Sequence, residues 1–329
     1  AAVAILLVVI LVTAQYKTST PQFVLPAFKT FSEVIQTQRD MLGYGTNSTS
    51  FDVKNATTTA RTSTSTSSGV HKAVKKITLT KPNVLMIIAD DMRPELGVYA
   101  SKKRPWLHPD MHTPNLDKLA KESLLFTNAY CQQPLCNPSR VSLLTSRRPD
   151  STGVISNDMP LRMSAPSVKT IPGYFKDHGY TTMAIGKVFH PIGSCDEKKS
   201  WTTHCYLPRK WMEEGAWHAV SEKEHSQKLM DEQTLGFASM NLERLAKSKD
   251  PFFLAMGIKK PHAPLIFPEK FLELYPEVEM PSNPLLPKNI PDIAWNHKHT
   301  EHRSENFNQS SDPVYEMPIS HMKELRRAY

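Results

Sequence analysis

The hydrophobic and polar positions of this chain fall into continuous apolar runs separated by amphipathic stretches. Three runs of strand length are bounded by proline, glycine or charged residues: NVLMIIAD at 83–90, TTMAIG at 181–186 and PFFLAMGI at 251–258. Continuous runs of this kind are typical of strands that are buried on both faces, as in parallel sheets. Because helical patterns lie between them, the order strand, helix, strand, helix, strand predicts an α/β fold. Its central sheet should be mostly parallel and flanked by helices.

The stretch TPNLDKLAKESLLF at 113–126 predicts the first helix after the opening strand. Thr113 stands at the N-cap position, and Pro114 lies in the first turn, where a missing N–H leaves no hydrogen bond unmade. Three leucines spaced along one face supply the apolar stripe: Leu116, Leu119 and Leu124. The pattern therefore predicts a helix that includes all three leucines.

Further helices are predicted by similar start and stop patterns. TIPGYFKDHG begins at Thr170 and ends at Gly179, directly before the second strand. A longer helix is predicted at about 230–247, before the third strand. Beyond Pro261 the chain is proline-rich, and we expect irregular structure to about residue 315, followed by a helix in HMKELRRAY.

The first 80 residues differ from the rest in composition. Residues 1–14, AAVAILLVVILVTA, are shorter than the roughly 20 residues of a membrane span but match the apolar core of a signal peptide. A truncated membrane anchor is the alternative, and only then would the protein contact a membrane. A buried strand is disfavoured, because nothing nearby in the chain would cover it. Residues 15–80 are rich in Ser and Thr and predict a largely disordered stem.

The net charge favours a polyanionic partner. Forty Lys and Arg against 32 Asp and Glu leave a formal charge of +8, which suits nucleic acid, anionic membranes or sulfated glycans. A secretory route argues against nucleic acid. Asn-x-Ser/Thr sequons agree with that route and occur at Asn47, Asn55 and Asn308.

Four cysteines are too few for a disulfide scaffold. Cys195 and Cys205 bracket a polar loop and can bridge in an oxidising compartment, whereas the roles of Cys131 and Cys136 are not settled by their spacing. Pro138 fits the first turn of a helix, so Cys136 should lie at a helix N-terminus, where backbone N–H groups favour anions.

Arg140 follows Cys136 one helical turn later, on the same face. A Cys-x5-Arg phosphatase loop is excluded, because Ser142 stands where its arginine would be. A Cys–His protease and a purely structural thiol remain as alternatives at this point.

Residues that could bind a metal ion or an anion stand at the end of each predicted strand. Parallel strands collect ligands at their carboxyl ends, so these residues should share one crevice: Asp90, Asp91, Lys187, His190, Lys259, Lys260 and His262. Adjacent carboxylates suit Ca²⁺ or Mg²⁺, and Lys and His suit a bound oxyanion. A helix cap for the aspartates and simple solvation for the others are the alternatives.

The run Cys-x-Pro-Ser-Arg at 136–140, followed by VSLLTSRRP, resembles the signature of type I sulfatases. These are the formylglycine-dependent members of the alkaline phosphatase superfamily. The resemblance extends in order from about Lys81 to Tyr329 and includes NVLMIIADDMRPELGVY, GYTTMAIGKVFHP and PFFLAMGIKKPHAPLIFPEKFLELYP. One position departs from the signature, because Ser146 stands where the family has glycine.

This resemblance implies a covalent mechanism. Cys136 would be oxidised to formylglycine by the formylglycine-generating enzyme of the endoplasmic reticulum. As a hydrated aldehyde it would attack sulfur with one hydroxyl and expel sulfate through the other. Asp90 and Asp91 would bind Ca²⁺ together with the converted Cys136, and Arg140 would hold the hydrate.

The resemblance assigns the remaining polar residues to the sulfate. Lys187 and His190 would orient the hydroxyls and the sulfate, and His262 would contact the sulfate or protonate the departing sugar oxygen. The family completes these sites with an Asp-His pair and a lysine from a later segment, whereas Asp-His-Gly at 177–179 ends a helix upstream. We therefore expect 81–329 to be the N-terminal portion of a sulfatase catalytic domain whose C-terminal part is missing, which bears on whether the chain acts alone.

The implied substrates are sulfated glycosaminoglycans, in particular the 2-O-sulfate of iduronate in heparan and dermatan sulfate. The implied location is the secretory pathway, with a lysosomal or extracellular destination. Two alternatives remain: a sulfatase for another sulfate ester, and a non-catalytic glycan-binding protein with a sulfatase-like fold. The chemical state of Cys136 in secreted material distinguishes an enzyme from a binding protein.

Overall fold

The computed structural model describes residues 81–100, 111–191, 195–209, 217–221, 223, 229–280 and 319–329, together with the backbone of 7–13. The Ser/Thr-rich segment up to residue 80 and the sequons at Asn47, Asn55 and Asn308 lie outside these residues. The predictions made for them are therefore unaffected by the structure.

The central sheet has four strands in the order β1-β2-β5-β3. The described strands are β1 (Leu7–Thr13), β2 (Asn83–Asp90), β3 (Thr181–Gly186), β4 (Trp217–Val220), β5 (Phe252–Pro261) and β6 (Leu265–Pro268). β5 pairs in parallel with β2 on one side and with β3 on the other. The predicted bounds of β2 and β3 are confirmed, and β5 starts one residue later than predicted and continues to Pro261. The α/β prediction with a mostly parallel sheet is confirmed.

The apolar N-terminal segment adds an edge strand to this sheet. β1 pairs antiparallel with β2, from Leu7 opposite Ala89 to Thr13 opposite Asn83. The expectation that this segment would not form a strand is wrong. Its run of valine, isoleucine and leucine has high strand propensity, and the free edge of β2 offers it backbone donors and acceptors. The signal-peptide prediction stays a prediction.

Helices cover both faces of the sheet. The described helices are α1 (Pro114–Lys121), α2 (Cys136–Thr145), α3 (Pro149–Thr152), α4 (Leu161–Ser164), α5 (Ile171–Asp177), α6 (Glu197–Ser200), α7 (Met230–Ala246) and α8 (Ile319–Ala328). Short 3₁₀ helices occupy Gly97–Tyr99 and Glu269–Leu274. Among the described residues, no helix combines the length and apolar character needed to cross a bilayer.

Alternate side chains of β2 point to opposite faces of the sheet, and each set belongs to a separate hydrophobic core. One core joins Val84, Met86 and Ile88 to Val141 and Leu144 of α2. The other core joins strand residues to one face of α7, whose buried residues recur at i, i+4 and i+7: Ala238, Leu242 and Leu245. The sheet is therefore held between α2 and α7, and both helices end up fixed relative to the strand ends.

The helix predictions hold except at one boundary. Thr170 caps α5 by accepting a hydrogen bond from the N–H of Gly173 at 3.0 Å, as its position predicts. By contrast α1 ends at Lys121, so Leu124 lies beyond it and is 80% exposed. The prediction that Leu124 extends the apolar face of α1 is wrong, because the face has no core to pack against there.

The described part of the proline-rich region, residues 262–280, is more regular than predicted, and residues 281–318 lie outside the described residues. β6 pairs in parallel with β4 in a separate two-stranded sheet, with Trp217 opposite Leu265. These strands have four residues each, too few for a period to stand out in the sequence. The helix predicted near the end of the chain is confirmed as α8.

Candidate active site

Cys136 is the first residue of α2, as Pro138 in the first turn predicts. The preceding Leu135 is extended, and its carbonyl accepts the first helical hydrogen bond from Ser139 at 3.0 Å. Asn137 fixes this end of the helix. Its backbone N–H donates to the Oδ1 of Asn157 at 3.0 Å, and its side-chain amide donates to two further backbone carbonyls. The Cys136 side chain therefore leaves a helix start that is anchored at several points.

Asp90 ends β2 and is only 2% exposed. Its Oδ1 accepts from Nη2 of the fully buried Arg140 at 2.6 Å, and its Oδ2 pairs with the Nζ of Lys187. Arg140 also donates from Nη1 to the backbone carbonyls of Lys187 and Val188, the latter at 3.0 Å. One buried carboxylate thus joins α2 to the segment after β3.

These two cations determine the ionisation of Asp90. Burial by itself would raise the pKa of Asp90, but the charges of Arg140 and Lys187 and their hydrogen bonds outweigh burial, and the pKa lies below its ordinary value. Asp90 is therefore an anion at neutral pH.

The Cys136 sulfur lies between the charges of this cluster. Sγ is 3.8 Å from the Oδ2 of Asp90 and 3.8 Å from the Nζ of Lys187. Burial raises the pKa of the thiol, Asp90 raises it further, and the partial compensation by Lys187 leaves it above its ordinary value. Catalytic cysteines have a lowered pKa, so this thiol does not have the properties of a protease nucleophile. That alternative from the sequence is disfavoured.

Lys187 reaches the cluster because β3 and β5 approach closely at two glycines. Gly186 has φ +73°, a backbone conformation that residues with a side chain rarely adopt. The N–H of the next residue, Lys187, donates to the carbonyl of Gly257 at 2.9 Å. A Cβ at position 257 would lie 2.6 Å from the nitrogen of Val188 and would overlap the carbonyl of Lys187. The two glycines therefore set where Lys187 leaves the sheet.

His262 faces the same cluster from the turn after β5. Its Nδ1 lies 2.5 Å from the carbonyl oxygen of Ala263. Because a carbonyl only accepts, Nδ1 carries the proton and Nε2 is the free nitrogen of the neutral ring. Nε2 is 3.8 Å from the Oδ2 of Asp91. Burial lowers the pKa of His262, Lys187 lowers it further, and the two aspartates only partly oppose the shift.

Asp91 and His190 lie at the edges of the cluster. Asp91 adopts φ +56°, and its side chain is 44% exposed, so it is much less enclosed than Asp90. The Nδ1 of His190 is buried without a hydrogen-bond partner. Burial, followed by the charges of Lys187 and Arg140, lowers the pKa of His190 to about 4, so the ring is neutral at physiological pH.

Lys259 and Lys260 belong to the end of β5, and the structure places their ammonium groups differently from the sequence prediction. Lys260 turns its Nζ to the carbonyls of His262 and Pro264 in its own loop. Lys259 has its Nζ 3.8 Å from the sulfur of Met230 at the start of α7. Of the residues after β5, it is His262 that joins the Cys136 cluster.

Three side chains of the cluster are of types that can ligate a divalent cation. Asp90, Cys136 and His262 each offer one ligand atom, and these atoms lie within 4.8 Å of one another. Asp91 is absent from this group, although its carboxylate borders the same pocket, whose lining is Asp90, Asp91, Gln133, Leu135, Cys136, Ser139 and Arg140. The carboxylates of Asp90 and Asp91 offer the oxygen donors that Ca²⁺ prefers, whereas the thiol of Cys136 and the imidazole of His262 are softer donors.

Two residues with a role at the site were not recognised from the sequence. Asp231, in the first turn of α7, accepts hydrogen bonds from the backbone N–H groups of Lys259 and Lys260. Tyr329 donates from its hydroxyl to the carbonyl of Asp91 at 2.8 Å and accepts from the N–H of Arg93 at 2.6 Å. Neither had a usable pattern, because each acts on a segment distant in the chain.

The chain belongs to the sulfatase family, whose family model matches residues 82–312. This match includes β2, the Cys136 helix and the His262 turn, and it confirms the family resemblance of the 136–140 segment. The chain is 36% identical over 270 residues to human iduronate 2-sulfatase, covering 75% of this chain and 48% of that protein. It is 38% identical over 235 residues to the mouse iduronate 2-sulfatase, covering 65% and 41%. The chain thus spans about half the length of the curated relatives it matches.

Among solved structures, Ps i-CgsB in complex with k-i-k-neocarrahexaose is similar to this chain. The TM-score is 0.43 at 24% sequence identity, over 60% of this chain and 48% of that one.

Proposed function

We propose that this chain carries catalytic residues of a sulfatase that removes the 2-O-sulfate of iduronate from heparan and dermatan sulfate. The observation that carries the proposal is the position of Cys136. Its sulfur stands at a helix N-terminus, 3.8 Å from both the buried Asp90 carboxylate and the Lys187 ammonium. This is the position that a residue attacking a bound sulfate would occupy.

The surroundings of Cys136 favour an anion with developing negative charge. The N-terminus of α2 presents backbone N–H groups, Lys187 lies 3.8 Å from the sulfur, and Arg140 pairs with the neighbouring Asp90 carboxylate. Donors that are fixed before the reaction stabilise charge without reorganisation, which is usually a large part of the rate enhancement. The Asp90 bonds hold both cations in place for this purpose.

Conversion of Cys136 to formylglycine would supply, as the hydrate, one hydroxyl to attack sulfur and a second to release sulfate. Bound Ca²⁺, with Asp90 and Asp91 among its ligands, would add positive charge beside that residue. Arg140 holds the buried Asp90 carboxylate in place beneath the Cys136 side chain. Lys187, which pairs with Asp90, would hold the sulfate oxygens, and His190 would border them as a neutral ring.

His262 would act on the sugar side of the sulfate. In its neutral tautomer Nε2 accepts, so it must take up a proton before it can donate one to the departing sugar oxygen. A bound sulfate favours that uptake because it adds negative charge near the ring.

The substrate proposal is supported by the two iduronate 2-sulfatase relatives and by the net charge of +8, which suits sulfated glycans. We also propose that 1–14 direct the chain to the secretory pathway, that 15–80 form a stem and that 81–329 belong to the catalytic domain. A lysosomal or extracellular destination agrees with the Cys195–Cys205 disulfide, whose cysteines are 10 residues apart.

Mass spectrometry of the tryptic peptide 122–140 from secreted protein tests the conversion. This peptide contains both Cys131 and Cys136, so Cys131 is an internal reference. After alkylation we expect one modified thiol, at Cys131, and an aldehyde at 136. Two alkylated thiols would contradict the enzyme proposal and favour a glycan-binding protein.

Hydrolysis assays test the reaction and its substrate. The converted protein should release sulfate from a 2-O-sulfated iduronate glycoside faster than from 6-O-sulfated glucosamine, and chelation should abolish turnover until Ca²⁺ is restored. Cys136→Ser should eliminate turnover, with Cys131→Ser as the matched control. Preference for the glucosamine ester would reassign the substrate and leave the reaction class intact.

A further inference from the structure

We infer that Asp231 is a positioning residue that sets the location of His262 by holding a bulge in β5. The inference rests on the proposed function, in which His262 acts on the substrate. It does not depend on which sugar carries the sulfate.

The ladder between β2 and β5 is interrupted beside the active site. Ala89 lies opposite Ile258, but the next residue of β2, Asp90, lies opposite Pro261. Two residues of β5, Lys259 and Lys260, are therefore extra to the ladder. Bulges of this kind bend a strand and redirect the side chains that follow, and they are common next to active sites.

The carboxylate of Asp231 takes over the bonding of this bulge. Its Oδ1 accepts from the N–H of Lys259 at 2.7 Å, and its Oδ2 accepts from the N–H of Lys260 at 2.9 Å. Both oxygens are used, each on one of two successive amides. Asp231 itself is fixed in the first turn of α7, which packs on the sheet.

The bulge leads directly into the His262 turn. The N–H of His262 donates to the carbonyl of Lys259 at 3.1 Å, and the Nζ of Lys260 donates to the carbonyl of His262 at 3.2 Å. The two residues held by Asp231 are therefore the same two that close the turn around His262. A change in the bulge must displace the imidazole, whose Nε2 faces Asp91 at 3.8 Å.

A carboxylate is required for this arrangement. An amide side chain has one accepting oxygen and one NH₂ group, so asparagine at 231 would set a donor against a backbone N–H. An unmatched donor pair in a half-buried position is unfavourable, and the bulge would shift to relieve it.

The test compares Asp231→Asn with Asp150→Asn in the full protein. Asp150 is a matched control, because it is also an acid in the first turn of a helix but is exposed. We expect kcat/KM for a sulfate ester to fall by about 10-fold or more in Asp231→Asn, since displacement of a reacting group by about 1 Å is enough for such a loss. Asp150→Asn should match wild type. If Asp231→Asn does not fold, Asp231→Ser, which keeps one acceptor, replaces it.

A double-mutant cycle with His262→Gln separates positioning from general damage. If Asp231 acts through His262, Asp231→Asn should have little further effect once His262 is replaced. An equal loss in both backgrounds, or no loss in the single variant, would overturn the inference.

Amide hydrogen exchange gives a readout that does not depend on turnover. Exchange at Lys259, Lys260 and His262 should accelerate in Asp231→Asn and not in Asp150→Asn. If wild type hydrolyses no sulfate ester, the proposed function fails, and this exchange measurement still decides whether Asp231 holds the turn. Unchanged exchange at all three amides would refute it.

Discussion

Replacing Gly257 by alanine tests how closely β3 and β5 must approach for Lys187 to reach the active site. The methyl group would overlap the backbone carbonyl of Lys187 and lie 2.6 Å from the nitrogen of Val188. Both neighbours are main-chain atoms, so no rotamer change relieves the overlap. The strands must separate, or the segment after Gly186 must move.

The expected loss of stability follows from two contributions. Overpacking in a well-packed interior costs about 1–3 kcal/mol. Separation also breaks the hydrogen bond from the N–H of Lys187 to the carbonyl of Gly257, now 2.9 Å long, which contributes about 1 kcal/mol. We therefore expect Gly257→Ala to lower the free energy of unfolding by about 3 kcal/mol, and to reduce sulfate ester hydrolysis because Lys187 is displaced from Asp90.

Denaturant unfolding of Gly257→Ala and Gly236→Ala makes the comparison. Gly236 lies within α7, and a Cβ there meets nothing within 4 Å. Alanine is the better helix former, so Gly236→Ala should raise stability by about 0.5–1 kcal/mol. The same chemical change should thus have opposite signs at the two positions. A loss below about 1 kcal/mol in Gly257→Ala, with hydrolysis unchanged, would refute the proposed close approach.

Three further perturbations address the charges and the disulfide. Arg140→Met leaves the buried Asp90 carboxylate without one of its two cationic partners and should cost about 3–5 kcal/mol in denaturant unfolding; a loss near zero would mean that Lys187 alone satisfies it. The pKa of His190 falls from 6.5 to about 4 on folding, so the unfolded state binds more protons between these values, and stability should decrease as pH falls through this window. His190→Gln should flatten that dependence in thermal unfolding, and an identical profile would contradict the assignment. Replacing Cys195 and Cys205 by serine opens a loop of 10 residues and should cost about 3 kcal/mol by the chain-entropy relation, with unchanged thermal unfolding as the contrary result.

The sequence predicted the strands and helices on which the site residues lie. It predicted fewer of the contacts between those residues. The positions of Asp90, Lys187 and His262 at strand ends followed from the apolar runs, and Cys136 at a helix start followed from Pro138. The pairing of Asp90 with Arg140 did not follow, because the resemblance implied only a contact between Arg140 and the hydrate, which stays a prediction. Residues 50 positions apart carry no local pattern that reveals such a bond.

The sequence by itself determined the three central strands β2, β3 and β5, the main helices, and the position of a cysteine at the start of α2. These are consequences of local periodicity, proline geometry and continuous burial, and each is written within about ten consecutive residues. Only the tertiary structure decided the edge pairing of β1, the two-stranded β4–β6 sheet and the bulge that Asp231 holds. Those features depend on which surfaces meet once the sheet has formed. A hydrogen-bond partner is chosen by geometry across the fold, and the hydrophobic pattern specifies only that each face must be covered.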